Sequence, residues 1–315
     1  MKLIGLLIAI SFVATMANAH GTHDWSTDTE AFAGATVDTK IYTNEKNTKA
    51  AIVISEAEFK FKLEQLSGAQ DILINNQKVR IQERGSAAGR ELSRQWLTQE
   101  YRAMGFNVFQ HSYEGGANLI AEKPGTSGKV LILSAHMDSV GNSGANDDGA
   151  GTVAALLIAK SLKDFNSKHT LRIVAFDNEE QGLVGSSKYV KTLNPAQIIG
   201  DIQMEMMAYN SRNDGKFHVI DCDRSDSLFL TESVMKTVQS LGLPLTRVKA
   251  CTDRSDHSAF WSQKIPAIVL SENFFGGDGD RCYHKKCDIL DERLNLKYSS
   301  FIATAVANAI VGLMQ

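Results

Sequence analysis

The sequence predicts an α/β fold: a mixed, mainly parallel central sheet flanked by helices, with an N-terminal extension ahead of it. Two observations carry this. Beyond residue 78 the chain alternates short continuous apolar runs with longer stretches of helical spacing, the pattern of strands buried on both faces and of the helices that cover them. The histidines and carboxylates that suggest chemistry fall mostly at or just after the ends of those apolar runs, which is where open α/β sheets bind ligands.

Residues 1–19 read as a signal peptide: Lys2, an apolar run from Leu3 to Met16, then the small-x-small site Ala17-Asn18-Ala19. The run is shorter than the roughly 20 residues of a spanning helix. No other segment looks long and apolar enough to span. The mature chain is therefore expected to begin near His20, to be secreted or periplasmic, and to leave the membrane once the signal is removed. Residues 20–77 form the extension, a pro-segment or lid, polar at first and then apolar from Ala50 to Ser55 and helix-like from Glu56 to Leu66.

The main domain is expected over residues 78–315. Ala88 to Met104 is spaced as a helix, with Gly105 placed to end it. Strands follow at Val130–Ala135, Leu171–Phe176, Ile199–Met206, Lys216–Ile220 and Ala267–Leu270. Between and after them, helices are expected at Ala150–Leu162, Val184–Leu193, Ser227–Leu241 and Leu296–Leu313.

With 315 residues, 43% of them hydrophobic and 22% charged, the chain can bury a sizeable core. A net charge of -3 and the lack of a dense basic run with interleaved aromatics exclude nucleic acid as a partner. An even count of cysteines in an exported chain implies disulfides. Cys282 and Cys287 are close in sequence and bracket His284, which favours that pair and leaves Cys222 with Cys251.

The chemistry is concentrated in a few short stretches. At the end of the first strand, His136-Met137-Asp138 places an aspartate where it can hydrogen-bond the histidine's second nitrogen, as metal-binding histidines require. Asn146-Asp147-Asp148-Gly149 opens the next helix, and its aspartates could either cap that helix or bind metal. After the second strand, Glu179-Glu180 can divide its work, one carboxylate on a metal and its neighbour facing a water. Glu205 is a lone acid in the apolar Met204-Glu205-Met206, costly to bury unless paired or metal-bound. His284 stands between the two cysteines. Two histidines and three carboxylates, His136, Asp147, Glu180, Glu205 and His284, suit a pair of zinc ions sharing one bridging carboxylate.

In this order, over about residues 78–315, His-Met-Asp-Ser-Val, Asn-Asp-Asp-Gly, Glu-Glu-Gln-Gly-Leu-x-Gly-Ser and Cys-Tyr-His-x-x-Cys-Asp resemble the ligand motifs of the co-catalytic di-zinc aminopeptidases, including secreted bacterial leucyl-type enzymes. The resemblance implies a zinc-peptidase fold and two zinc ions bridged by Asp147. His136 and Glu205 would complete one ion, Glu180 and His284 the other. Glu179 would activate the bridging water and protonate the leaving amine, with Tyr283 stabilising the oxyanion. Peptides with a free N-terminus would be the substrates, their amine held near Glu179 and Glu205, and the enzyme would act as a monomer. Asp256-His257 would support the site from outside the ligand shell, with Asp138. Glu205 departs from the family pattern, standing where many relatives carry an aspartate. Three other readings share the fold: a single-zinc glutaminyl cyclase-like transferase, a carboxypeptidase and a non-catalytic binding module. A complete ligand set argues against the transferase, and ligands retained together with the base argue against the module.

Overall fold

The computed structural model describes residues 51–315, so the expected signal peptide and residues 20–50 of the extension lie outside the described residues. The main sheet comprises β3 (Asn107–Tyr113), β4 (Gly116–Lys123), β5 (Val130–His136), β6 (Thr170–Phe176), β7 (Ile198–Met204), β8 (Lys216–Ile220), β9 (Thr246–Arg247) and β10 (Ala267–Glu272). Its spatial order is β3-β4-β6-β5-β7-β10-β8-β9. A separate antiparallel hairpin pairs β1 (Ile72–Ile74) with β2 (Gln77–Val79). The helices are α1 (Glu56–Leu66), α2 (Ala87–Ala103), α3 (Gly151–Leu162), α4 (Val184–Tyr189), α5 (Leu228–Ser240), α6 (His257–Ser262) and α7 (Leu296–Leu313).

The four central strands β6, β5, β7 and β10 run parallel, while β4 joins β6 and β8 joins β10 antiparallel. Parallel strands put all their carboxyl ends at one edge of the sheet, so β5, β6, β7 and β10 deliver the residues that follow them to a common place.

The apolar runs are continuous because both faces of these strands are covered. Leu131, Leu133 and Ala135 of β5 join Leu171, Ile173 and Ala175 of β6 in a large core with residues of α1, α2, α3, α5 and α7. The intervening Ile132, Val174 and Phe176 face a smaller cluster that includes Tyr189, Ala259 and Phe260. The period of two along each strand thus sorts side chains between two helical layers.

Three features differ from expectation. The described part of the extension is built into the main core: Phe59, Leu63 and Leu66 are fully buried, and Ile52 and Ile54 donate backbone N–H groups to Asn308 and Thr304 of α7. Residue 78 is therefore not a packing boundary. The third central strand ends at Met204, not Met206: Met206 adopts a positive φ of 43° that breaks the extended conformation, although Glu205 N and the Met206 carbonyl still bond to β10. Finally, α7 is long and apolar enough to cross a membrane by length and composition, contrary to expectation. Its apolar residues Ile302, Ala303, Val306 and Ile310 are instead fully buried against the rest of the molecule.

Candidate metal centre

The site assembles from the strand ends. His136 closes β5, the Glu179–Glu180 pair follows β6, Glu205 is the first residue after β7, and His284 lies in the long connection after β10. Asp147 comes from the segment between β5 and α3. His136 Nε2 lies 3.2 Å from Asp147 Oδ1 and 3.4 Å from Glu205 Oε1. His284 Nε2 lies 3.3 Å from Asp147 Oδ2 and 3.0 Å from Glu180 Oε2. The two oxygens of one carboxylate therefore face two different histidines, each with its own second carboxylate. Donor atoms of His136, Asp147 and Glu180 lie within 4.8 Å of one another, as do those of His136, Glu179 and Glu205.

Asp138 joins the first and second strand ends. Its Oδ1 is 3.4 Å from His136 Nδ1, and its two oxygens accept the backbone N–H groups of Glu179 and Glu180, each at 3.2 Å. The turn after β6 is anchored further by the fully buried Asp177, which pairs with Arg90 and Arg94 of α2 at 2.8 and 2.7 Å. Glu205 Oε2 accepts hydrogen bonds from Ser255 at 2.6 Å and Gln203 at 3.2 Å. Tyr283 stacks its ring on that of His284, with centroids 3.8 Å apart, and meets Phe274 edge-on. The His257 ring points to the Thr252 carbonyl at 2.9 Å, away from the cluster, while its backbone N–H donates to Gln203. Asp256 is fully buried, and burial, opposed by His136, pushes its carboxyl up to about 7. The two cysteine pairs are bonded as expected, Cys222 to Cys251 and Cys282 to Cys287.

The electrostatics are those of a crowded, buried anionic pocket. Burial, reinforced by neighbouring carboxylates, holds Glu179 well above its ordinary range, and burial with the Asp147 charge lifts Glu180 to about 7. Asp147 is also buried, but hydrogen bonds and charge from His136 and His284 outweigh burial and keep it low. Burial opposes charge on His284, yet contacts with Asp147 and Glu180 raise it to about 10. Buried Glu180 Oε1 has no hydrogen-bond donor among the described residues, and buried Asp147 Oδ2 meets only the His284 ring, at 3.3 Å. Buried, unsatisfied carboxylate oxygens beside imidazoles are costly in a protein alone and fit a bound metal ion.

Two further carboxylates hold this geometry. Asp148 accepts from the backbone N–H groups of Gly151, Met206 and His136 at 2.9, 3.0 and 3.2 Å, tying together the start of α3 and the ends of β5 and β7. Asp288 accepts from Asn146 N and Asp147 N at 2.8 and 3.1 Å. Both fall inside stretches singled out in the sequence, Asp148 as a candidate cap and Asp288 as the last residue of Cys-Tyr-His-x-x-Cys-Asp. The pair divides: Asp148 accepts the Gly151 N–H at the start of the helix, and Asp147 faces the histidines.

A mixed α/β sheet with paired histidines and crowded carboxylates at its parallel strand ends defines a protein of the zinc-peptidase class. Residues 118–310 match peptidase family M28, and the chain belongs to that family. It is 32% identical over 251 residues to leupeptin-inactivating enzyme 1 of Streptomyces exfoliatus, covering 71% of this chain and 55% of that protein. The chain spans about half the length of the curated relatives it matches. In fold it resembles the LapA aminopeptidase of Legionella pneumophila, at TM-score 0.70 and 20% identity, over 86% of this chain and 78% of that one. It also resembles the glutaminyl cyclase of Fimbriiglobus ruber, at TM-score 0.68 and 16% identity, over 86% of this chain and 99% of that one.

Proposed function

We propose that this chain is an exported metallo-aminopeptidase that removes the N-terminal residue of peptides using two zinc ions. One observation carries the reading: the two oxygens of Asp147 face His136 and His284 separately, each histidine beside its own further carboxylate, Glu205 or Glu180. That is the donor set of two adjacent sites sharing one bridge. The two disulfides support an oxidising compartment.

His136, Asp147 and Glu205 would hold one ion, and Asp147, Glu180 and His284 the other. Bound zinc supplies Lewis acidity, polarising the scissile carbonyl and making water acidic enough to attack near neutral pH. Glu179, close to Glu180 but not needed as a ligand, would take a proton from the attacking water and return it to the leaving amine. Burial keeps its carboxyl above the ordinary range, the direction a base working near neutrality requires. Glu179 and Glu205 attract the substrate's α-ammonium, which selects a free N-terminus. Tyr283, positioned by its stack on His284, donates to the developing oxyanion.

The test is metal content of the purified chain together with hydrolysis of leucyl, arginyl and glutamyl anilides. Two zinc ions per chain and hydrolysis abolished by a chelator are expected. Hydrolysis indifferent to the chelator would sink the proposal. One ion per chain with pyroglutamate formed from N-terminal glutamine would establish the cyclase instead, and peptides blocked at either end separate amino- from carboxypeptidase.

A further inference from the structure

Resting on the metal-centre reading above, the geometry points to Arg84 as a positioning residue that sets the spacing between His136 and Asp147. Arg84 is fully buried, and it lies upstream of the stretch that matches the family. Its Nε donates to the Met137 carbonyl at 2.9 Å, its Nη2 to the Gly144 carbonyl at 2.8 Å and its Nη1 to the Ser143 carbonyl. Its backbone N–H donates to Ser139 Oγ at 3.2 Å, and its carbonyl accepts from Ser139 N at 3.3 Å. Every one of these partners lies in the single connection that leaves β5 after His136 and arrives at Asp147.

A guanidinium is a planar fork of donors in fixed directions, so carbonyls bound to it are fixed in relative position as well. Without it, buried carbonyls at both ends of the connection would lose their donors. The fit is close. Gly144 has a positive φ of 55°, and a Cβ there would lie 2.6 Å from Arg84 Nη2 and 2.4 Å from the Asp147 carbonyl. A Cβ on Gly85 would lie 2.5 Å from Gly141 N. The arginine and the loop are thus in direct contact, with no space for a side chain between them.

The side-chain hydrogen bonds of Arg84 all go to backbone carbonyls, although Asp288, Asp148, Asp138 and Asp147 are near enough for their charge to oppose the effect of burial. Arg84 therefore acts on the centre in two ways. Its fork fixes the loop, and its charge lies beside the carboxylates while touching none of them. It does not reach substrate and works only through His136 and Asp147.

The experiment compares Arg84→Lys, which keeps the charge and loses the fork, with Arg84→Gln and Ser139→Ala in the full chain. Zinc and cobalt affinities are measured by chelator competition, alongside the visible spectrum of the cobalt form and kcat and KM at saturating metal. Arg84→Lys is expected to bind metal about 10- to 100-fold more weakly, with an altered cobalt spectrum and a fall in kcat larger than any change in KM. Arg84→Gln should lose more and Ser139→Ala less. A purely structural role would lower the melting temperature and leave the cobalt spectrum of the folded variant unchanged, and that result would overturn the inference. Should both Arg84 variants fail to fold, Ser139→Ala decides alone: shifted affinity and spectrum support the inference, unchanged values overturn it. Failure of the unaltered chain to bind metal would overturn the metal-centre reading itself, and is distinguished by appearing before any substitution.

Discussion

Asp147 and Asp148 are adjacent, yet one faces two imidazoles and the other three backbone amides. Glu179 and Glu180 divide in a similar way: Glu180 meets His284, while Glu179 lies near His136 and Glu205. At this scale the residue types identified the stretches that matter, and only the resemblance to the di-zinc family said which carboxylate of each pair does what. A carboxylate that binds backbone amides and one that binds a cation are the same residue type, so composition and spacing alone do not separate them. Asp288 was given no role of its own for that reason. The division of the glutamates has a direct consequence: Glu179→Gln should lower kcat by about 100- to 10,000-fold. Its zinc content should stay that of the unaltered chain, read by metal analysis and steady-state kinetics.

Among the elements, strands with continuous apolar runs were legible because both of their faces are buried. The edge strand β3 was not, because its alternation of half-buried and exposed residues, such as the exposed Phe109, offers no apolar run to recognise. α1 was seen as a helix but not as part of the core, since polar residues surround its few buried ones. The two disulfides illustrate how an element's location determines what it contributes. Cys222–Cys251 closes a span of 29 residues that contains none of the proposed ligands, so replacing both cysteines with serine should cost about 3 kcal/mol of stability and affect kcat much less than it affects stability. Cys282–Cys287 spans only 5 residues and encloses His284, which has a positive φ of 56°. Its removal should cost somewhat less stability, about 2 kcal/mol, and weaken metal binding about 10-fold or more. Denaturant melts and chelator competition on the two double variants would tell these outcomes apart.

For the whole molecule, acid stability is set in part by buried neutral histidines. His218 donates from Nδ1 to the Val248 carbonyl at 2.8 Å and accepts the Phe275 N–H on Nε2 at 3.1 Å, and burial lowers it from 6.5 to about 4. Between those values the unfolded chain holds a proton that the folded chain refuses. Stability is therefore complete above about pH 6.5 and falls as the pH drops toward 4, by about 3 kcal/mol for this residue. His257 is depressed in the same direction by burial and acts over the same window. His218→Gln should flatten the fall measured by denaturant melts across that range. His218 carried no recognisable spacing, because its partners Val248 and Phe275 lie far away in the chain.

The asymmetry between the two histidines of the centre has a consequence in time. The His136 side chain is 1% exposed and sits on a strand end braced from several directions, whereas that of His284 is 36% exposed on a short surface loop. An ion held by Glu180 and His284 has a way out through loop motion alone, while one held by His136 and Glu205 must wait for a strand end to yield. The two proposed metals should therefore leave at different rates. Stripping the protein would pass through a long-lived half-loaded form, and its lifetime would report how firmly the sheet holds its own edge.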